Sequence, residues 1–165
     1  DKVWSLIYGE IFINLESYSM RTPEIQTLLL DGYKKLFGDA NISKGQNMKN
    51  PFVNAFVNTM QKHSEVVATG VNINSIIALR TRFITDWNET QASRFPLRLF
   101  EYQQQLLKEG MFESYNQWVF GSAADLTAFQ TWTNAHAEAY NKFVSFQRSR
   151  VFKIPPGQYY AANTQ

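Results

Sequence analysis

The sequence predicts an all-α fold: a single-domain antiparallel helical bundle or stack of helical hairpins, with about six to seven helices over residues 1–152 and an extended C-terminal tail over 153–165. Three observations lead there. Apolar residues recur at steps of three and four along nearly the whole chain, segments open on a cap residue with proline or close on glycine, and the links between them are short. A length of 165 residues, 44% of them apolar, suits one domain with its own core.

Trp4, Ile7, Tyr8, Ile11, Leu15 and Tyr18 place one stripe on a helix over residues 2–19. Thr22, Pro23 and Glu24 then supply a capping hydroxyl, a ring tolerated at the first helical position and a carboxylate at the positive helix end. The second helix they open carries Ile25, Leu28, Leu29, Tyr33 and Leu36, and Gly38 is expected to end it in the left-handed conformation. Residues 39–49 are turn formers without a period and read as a surface loop. Asn50 before Pro51 repeats the cap-and-proline start, and Val53, Phe56, Val57, Met60 and Val67 give the stripe of a third helix ending near Gly70, with His63 beside the stripe.

Val71 and Ile73 alternate with Asn72 and Asn74 as in a strand, yet Ile76, Leu79, Arg80, Phe83 and Trp87 restore helical spacing over residues 75–87. Pro96 opens a fifth helix with Leu99, Phe100, Gln103, Leu106 and Leu107, stopped at Gly110. A short sixth, with Phe112, Tyr115, Trp118 and Val119, closes at Gly121. Ser122, three residues before Asp125, is a capping-box-like start for the longest helix. Phe129, Trp132, Thr133, His136, Tyr140, Phe143, Val144, Gln147 and Val151 carry it to Phe152, before Pro155, Pro156 and Gly157 forbid continuation. Residues 106–112 are similar to the inter-helix turn of a tetratricopeptide repeat. Aligned on Gly110, however, Gln103 and Tyr115 fall where that pattern needs small residues, so the segment reads as an ordinary helical hairpin.

Composition removes several function classes. Sixteen basic against 14 acidic side chains leave a net charge of +2, without the clustered excess that binding along a nucleic acid requires. The absence of cysteine excludes disulfides, thiolate metal sites and cysteine nucleophiles. No apolar run is long enough to span a membrane. The start at Asp1 without an initiator Met, together with abundant Asn and Gln, leads us to expect a processed, secreted or periplasmic protein or an excised piece. The triplets beginning at Asn41 and Asn88 fit the glycosylation acceptor pattern, as an Asn-rich chain does by chance.

Catalytic patterns are few. Glu10 and Glu16 point about 120° apart on one helix and cannot converge on one bond. Glu10 alone borders the apolar stripe: the expectation is a solvated flank residue, and the alternative is a half-buried single carboxylate at the centre of a small helical enzyme, one acting on glycans for instance, or of a ligand-binding domain. Glu109 and Glu113 read as surface charges. Neither His63 nor His136 lies in a Glu-x-x-His or His-Glu-x-x-His pattern, so no metal or other cofactor is expected, and His136 reads as a core residue of the last helix. The glycine-framed serine motif and glycine-rich phosphate loops are absent, and Ser122 is better explained as a cap.

Aromatic residues make up 15% of the chain and crowd its second half, interleaved with polar ones. Most belong in a core, but Trp118 and Trp132 are the expected exceptions on a binding face. Beyond Lys142 the chain is locally basic, so Arg148 and Arg150 are candidates for an acidic partner. The tail carries Tyr159 and Tyr160, expected to fold back on the domain or to dock elsewhere. Together these features lead us to expect a non-enzymatic interaction or structural module that binds a protein or glycan partner.

Overall fold

In a computed structural model the chain is described over residues 2–162, and every element there is helical. The order is α1 (Lys2–Leu15), α2 (Thr22–Phe37), α3 (Pro51–Lys62), a 3-10 turn (Ser64–Val67), α4 (Ile73–Thr90) and α5 (Arg98–Lys108). Then come α6 (Phe112–Asn116), a π turn (Gln117–Gly121), α7 (Ser122–Ala124), α8 (Leu126–Ala135), α9 (Ala137–Ser149) and a last 3-10 turn (Tyr160–Ala162). The expected all-helical bundle is what forms. Successive helices pack as neighbours, α1 on α2, α3 on α4 and α4 on α5, around one continuous core.

Capping explains the starts. Asn50 Oδ1 accepts from the backbone N–H groups of Phe52 (2.9 Å) and Val53 (3.2 Å), which opens α3 where the Asn-Pro pair predicts it. The strand-like alternation at 71–74 hides a reciprocal cap instead: Ser75 N donates to Asn72 Oδ1 and Asn72 N donates to Ser75 Oγ, both at 2.9 Å. So α4 begins at Ile73. Thr22 does not cap α2. It is the first helical residue, and its hydroxyl donates to Glu16 O (2.7 Å), tying α2 to the turn after α1. Ser122 does not open the last long segment either; Asp125, in extended conformation, accepts from Ala128 N at 2.9 Å.

Two glycine expectations separate. Gly110 sits at φ 72°, the left-handed stop expected after α5, whereas Gly38 stays right-handed at φ −71°. Gly121 does not end its helix. A Cβ there would stand 2.7 Å from Phe129 Cδ2 and 2.6 Å from Gln117 Oε1, so glycine is needed for α8 to lie against the π turn. Within that turn the carbonyl of Trp118 accepts from Gln26 Nε2 of α2 at 2.8 Å.

Four expectations from periodicity need correcting. Helix α3 ends at Lys62 and a separate 3-10 turn follows, so it does not run on to Gly70. Helix α1 ends at Leu15, not residue 19, and its buried face is Val3, Leu6, Ile7, Glu10, Ile11, Ile13 and Asn14, while Tyr8, Leu15 and Tyr18 are exposed. In α2, Leu28 is likewise exposed and Gln26 buried. The expected helix over 122–152 breaks at His136, whose φ of −120° and ψ of 35° separate α8 from α9. His136 is exposed rather than core, stacked on Trp132 at 4.5 Å. The break lets both Phe129 (5.9 Å) and Trp132 (6.2 Å) reach the ring of Tyr140.

From Val151 the chain is extended, and it turns at Pro156-Gly157 and lies back on the bundle. Tyr160 stacks on Phe52 with centroids 4.9 Å apart and planes 8° apart. Its hydroxyl donates to Pro96 O (2.6 Å), and its carbonyl accepts from the cap residue Asn50 (2.8 Å). Gln158 Oε1 accepts from Arg98 N (2.6 Å), one of the N–H groups that the first turn of α5 leaves without an intrahelical partner. Residues 163–165 lie outside the described residues.

Candidate functional site

Apart from the half-buried His63–Asp86 pair (2.8 Å), which Lys62 joins at 2.8 Å, the residues that carry chemistry gather in two places. The first is the centre of the bundle. Glu10 of α1 is buried, 4% exposed, where the sequence suggests a solvated flank. Arg80 of α4 meets it through both terminal nitrogens, Nη1 to Oε2 at 2.9 Å and Nη2 to Oε1 at 2.5 Å. Oε1 also accepts from Gln103 Nε2 of α5 (2.8 Å) and from the Tyr115 hydroxyl of α6 (2.6 Å). Around this core Asn14 Nδ2 donates to the Tyr115 oxygen (2.8 Å), and Arg80 Nη1 donates to the Tyr33 hydroxyl of α2 (3.1 Å). Four helices thereby meet at one carboxylate, and Arg80 brings in α2 through Tyr33, so the network joins five.

Electrostatics follow from burial and pairing. Desolvation works against the Arg80 charge, but the Glu10 carboxylate outweighs it and holds the guanidinium ionised. Burial first, and the Glu10 charge second, push the Tyr115 hydroxyl well above its ordinary value. Tyr33 is raised by burial too, against the opposing effect of Arg80. The adjoining void is about 10 Å³, room for one water beside the unpartnered Arg80 Nε and for nothing larger. A glycosidase-type acid must be reached by a sugar ring, and Glu10 is 4% exposed beside a void of only about 10 Å³. Among the described residues no group of three or more His, Asp or Glu is arranged to hold a metal ion.

A pH dependence follows. Tyr33 and Tyr115, together with Tyr140, which burial and then Tyr18 push up to about 12, release their protons in the unfolded chain near pH 10 but hold them longer when folded. Their contribution to stability is therefore complete below about pH 10 and is lost as pH rises through the raised folded values. In a phenolate absorbance titration, part of the eight tyrosines should ionise late and in step with loss of helical ellipticity. A single step near pH 10 with the helices intact would contradict this.

The second place is an open cleft of about 330 Å³ between the start of α2, the π turn and the α8–α9 pair. Tyr18, Pro23, Trp118, Phe129 and Tyr140 form its walls, and Ser17, Ser19 and Ser122 contribute hydroxyls. No charged side chain lines it, and Arg148 stands at the rim with its guanidinium 5.2 Å from the Tyr18 ring. The Tyr18 hydroxyl donates to Gln147 Oε1 at 2.5 Å, and burial raises both phenols lining the cleft, so they remain neutral donors around pH 7. In the chain segments that supply its lining, Met20 is 99% exposed, and Leu15 and Leu126 are exposed as well. Helix α8 buries no residue although it carries Leu126, Phe129 and Trp132.

The candidate residues divide. Trp118 is buried against Tyr115 and Phe143 and offers only an edge to the cleft. Trp132 is half-buried on α8, and Arg148 is exposed. Arg150 turns inward, donating to Asn14 Oδ1 (2.8 Å) with its guanidinium 4.7 Å from the Tyr102 ring. Tyr160 is spent on the bundle, while Tyr159 is exposed. Glu109 and Glu113 are at the surface. Sequence reasoning passes over Tyr18 and Pro23 as site residues, because only the turn between α1 and α2 sets them opposite the π turn. No family model matches the chain, and neither a curated protein nor a solved structure is similar to it.

Proposed function

We propose that the chain is a non-enzymatic helical interaction module that binds a protein partner through the cleft between α2, the π turn and α8. One observation carries this reading: aromatic side chains from separate elements converge on an open, uncharged cleft with exposed apolar residues in the chain segments that line it, whereas the buried ionic set around Glu10 is closed. Tyr and Trp bring large rigid contact area at low entropic cost, with a polar edge that tolerates water when the partner is away. Large exposed apolar side chains near an aromatic cleft are the composition that interfaces favour. Arg148 at the rim adds charge steering rather than affinity.

Site-specific photo-crosslinking in the source cell tests it. A photoreactive residue at position 20 or 132 should give one saturable adduct that Tyr18→Ala abolishes, while the same residue at the exposed Asn58 of α3 should give none. No adduct, or equal labelling at position 58, would sink the proposal.

A further inference from the structure

Helices α1 and α2 enclose a second concavity that shares no lining residue with the aromatic cleft, an open groove of about 320 Å³. Its walls are Leu6, Ile25, Leu28 and Leu29, and Lys2 and Lys35 stand together at one end. Leu29 on this wall (2% exposed) and Leu6 opposite (3%) belong to the core, so Ile25 and Leu28 supply the accessible apolar surface. Leu28 is 55% exposed and Ile25 half-buried, so this helix carries a second apolar face turned to the groove. The floor is made by glycines. A Cβ on Gly32 would stand 2.8 Å from Leu6 Cδ2, and one on Gly9 would stand 3.0 Å from Leu29 Cδ2, so both positions let the helices approach while adding no side chain to the groove.

Polarity is segregated along its length. The helices run antiparallel, which brings the start of α1 to the end of α2, where Lys2 Nζ donates to Lys35 O at 3.1 Å. Lys2 also lies 3.5 Å from Asp39, but among the described residues Lys35 Nζ has no ion-pair partner. At the far end, Ile25 and Leu28 bring no charge. From Lys35 to Ile25 is ten residues of α2, about 15 Å at the rise of an α-helix. A cationic end, an apolar trough and this length describe the complement of a single extended alkyl chain with an anionic head.

We propose that the groove binds a medium-chain fatty carboxylate as a monomer, its head on Lys35 and its chain over the glycine floor toward Ile25 and Leu28. Lys2 contributes field at the head, and the glycines leave room for Leu6 and Leu29 to pack beneath the trough.

The test is calorimetric titration of the full chain with decanoate below its micelle concentration. One saturable site should appear, and decyltrimethylammonium, with the same chain and the opposite charge, should not occupy it. Lys35→Glu and Leu28→Gln, both at exposed positions, should each weaken decanoate by roughly tenfold while leaving the melting temperature unchanged. Absence of saturation, equal binding of the cationic chain, or wild-type affinity in both variants would overturn the assignment. So would binding only to anionic lipid vesicles, because that would make the surface a membrane contact rather than a monomer site.

Discussion

Replacing Glu10 by alanine should destabilise the chain by about 3–5 kcal/mol, because the Arg80 guanidinium is left charged, 3% exposed and without a counter-ion. The same change removes the acceptor of Gln103 Nε2 and of the Tyr115 hydroxyl, so two further buried donors lose their partner. For a domain of this size the loss corresponds to a melting-point drop of roughly 10–15 °C. A paired substitution separates the ionic part from the packing part. Glu10→Gln alone leaves Arg80 uncompensated, whereas Glu10→Gln with Arg80→Met removes both charges and keeps an oxygen for Tyr115. The double variant should recover at least about 1 kcal/mol over Glu10→Gln. Urea unfolding reads both quantities. A loss below about 1 kcal/mol for Glu10→Ala, or strict additivity of the pair, would mean that the ion pair does not hold the five helices together.

Truncation after Phe152 should cost about 2–3 kcal/mol, as a strap is removed rather than a solvated end. Tyr160 covers Phe52, itself in contact with Trp4, Trp87, Phe95 and Phe100, so its loss opens the aromatic core to water. The cap of α3 and the first turn of α5 also lose hydrogen bonds made to the tail. Tyr160→Ala in the full chain should reproduce most of the effect, which assigns it to this contact. Thermal melts of the two variants decide the matter. Unchanged stability with lost association would make the tail a partner-binding segment, and no change in either would make it a solvated end.

The helices were legible because their signals are local. Asn50-Pro51 and Gly110 mark boundaries through groups a few residues away, and the stripe of Ile76, Leu79, Arg80, Phe83 and Trp87 lies on one buried face. The phase of α1 was not legible. Apolar residues surround that helix, and the two polar residues on its buried face, Glu10 and Asn14, look in sequence like its wet side. A periodicity argument assigns polar positions to solvent, and a fully satisfied buried network reverses that assignment. His136 failed for a related reason. Helical spacing continues through it, but α8 buries nothing that would hold the segment straight, and the chain bends where the rings of Phe129, Trp132 and Tyr140 can meet.

By itself, then, the sequence determined the all-helical class, most helix starts and stops, and the aromatic character of the interior, all of which depend on spacing and side-chain chemistry within a few residues. Only the tertiary structure decided which acid is buried, which tryptophan is open, and where two helices leave a groove. Those outcomes depend on partners far apart in the chain, as Glu10 from Arg80 and Tyr18 from Tyr140, and no local pattern records them. Burial of a charge is settled by whether distant donors arrive to compensate it, and that is a property of the assembled bundle.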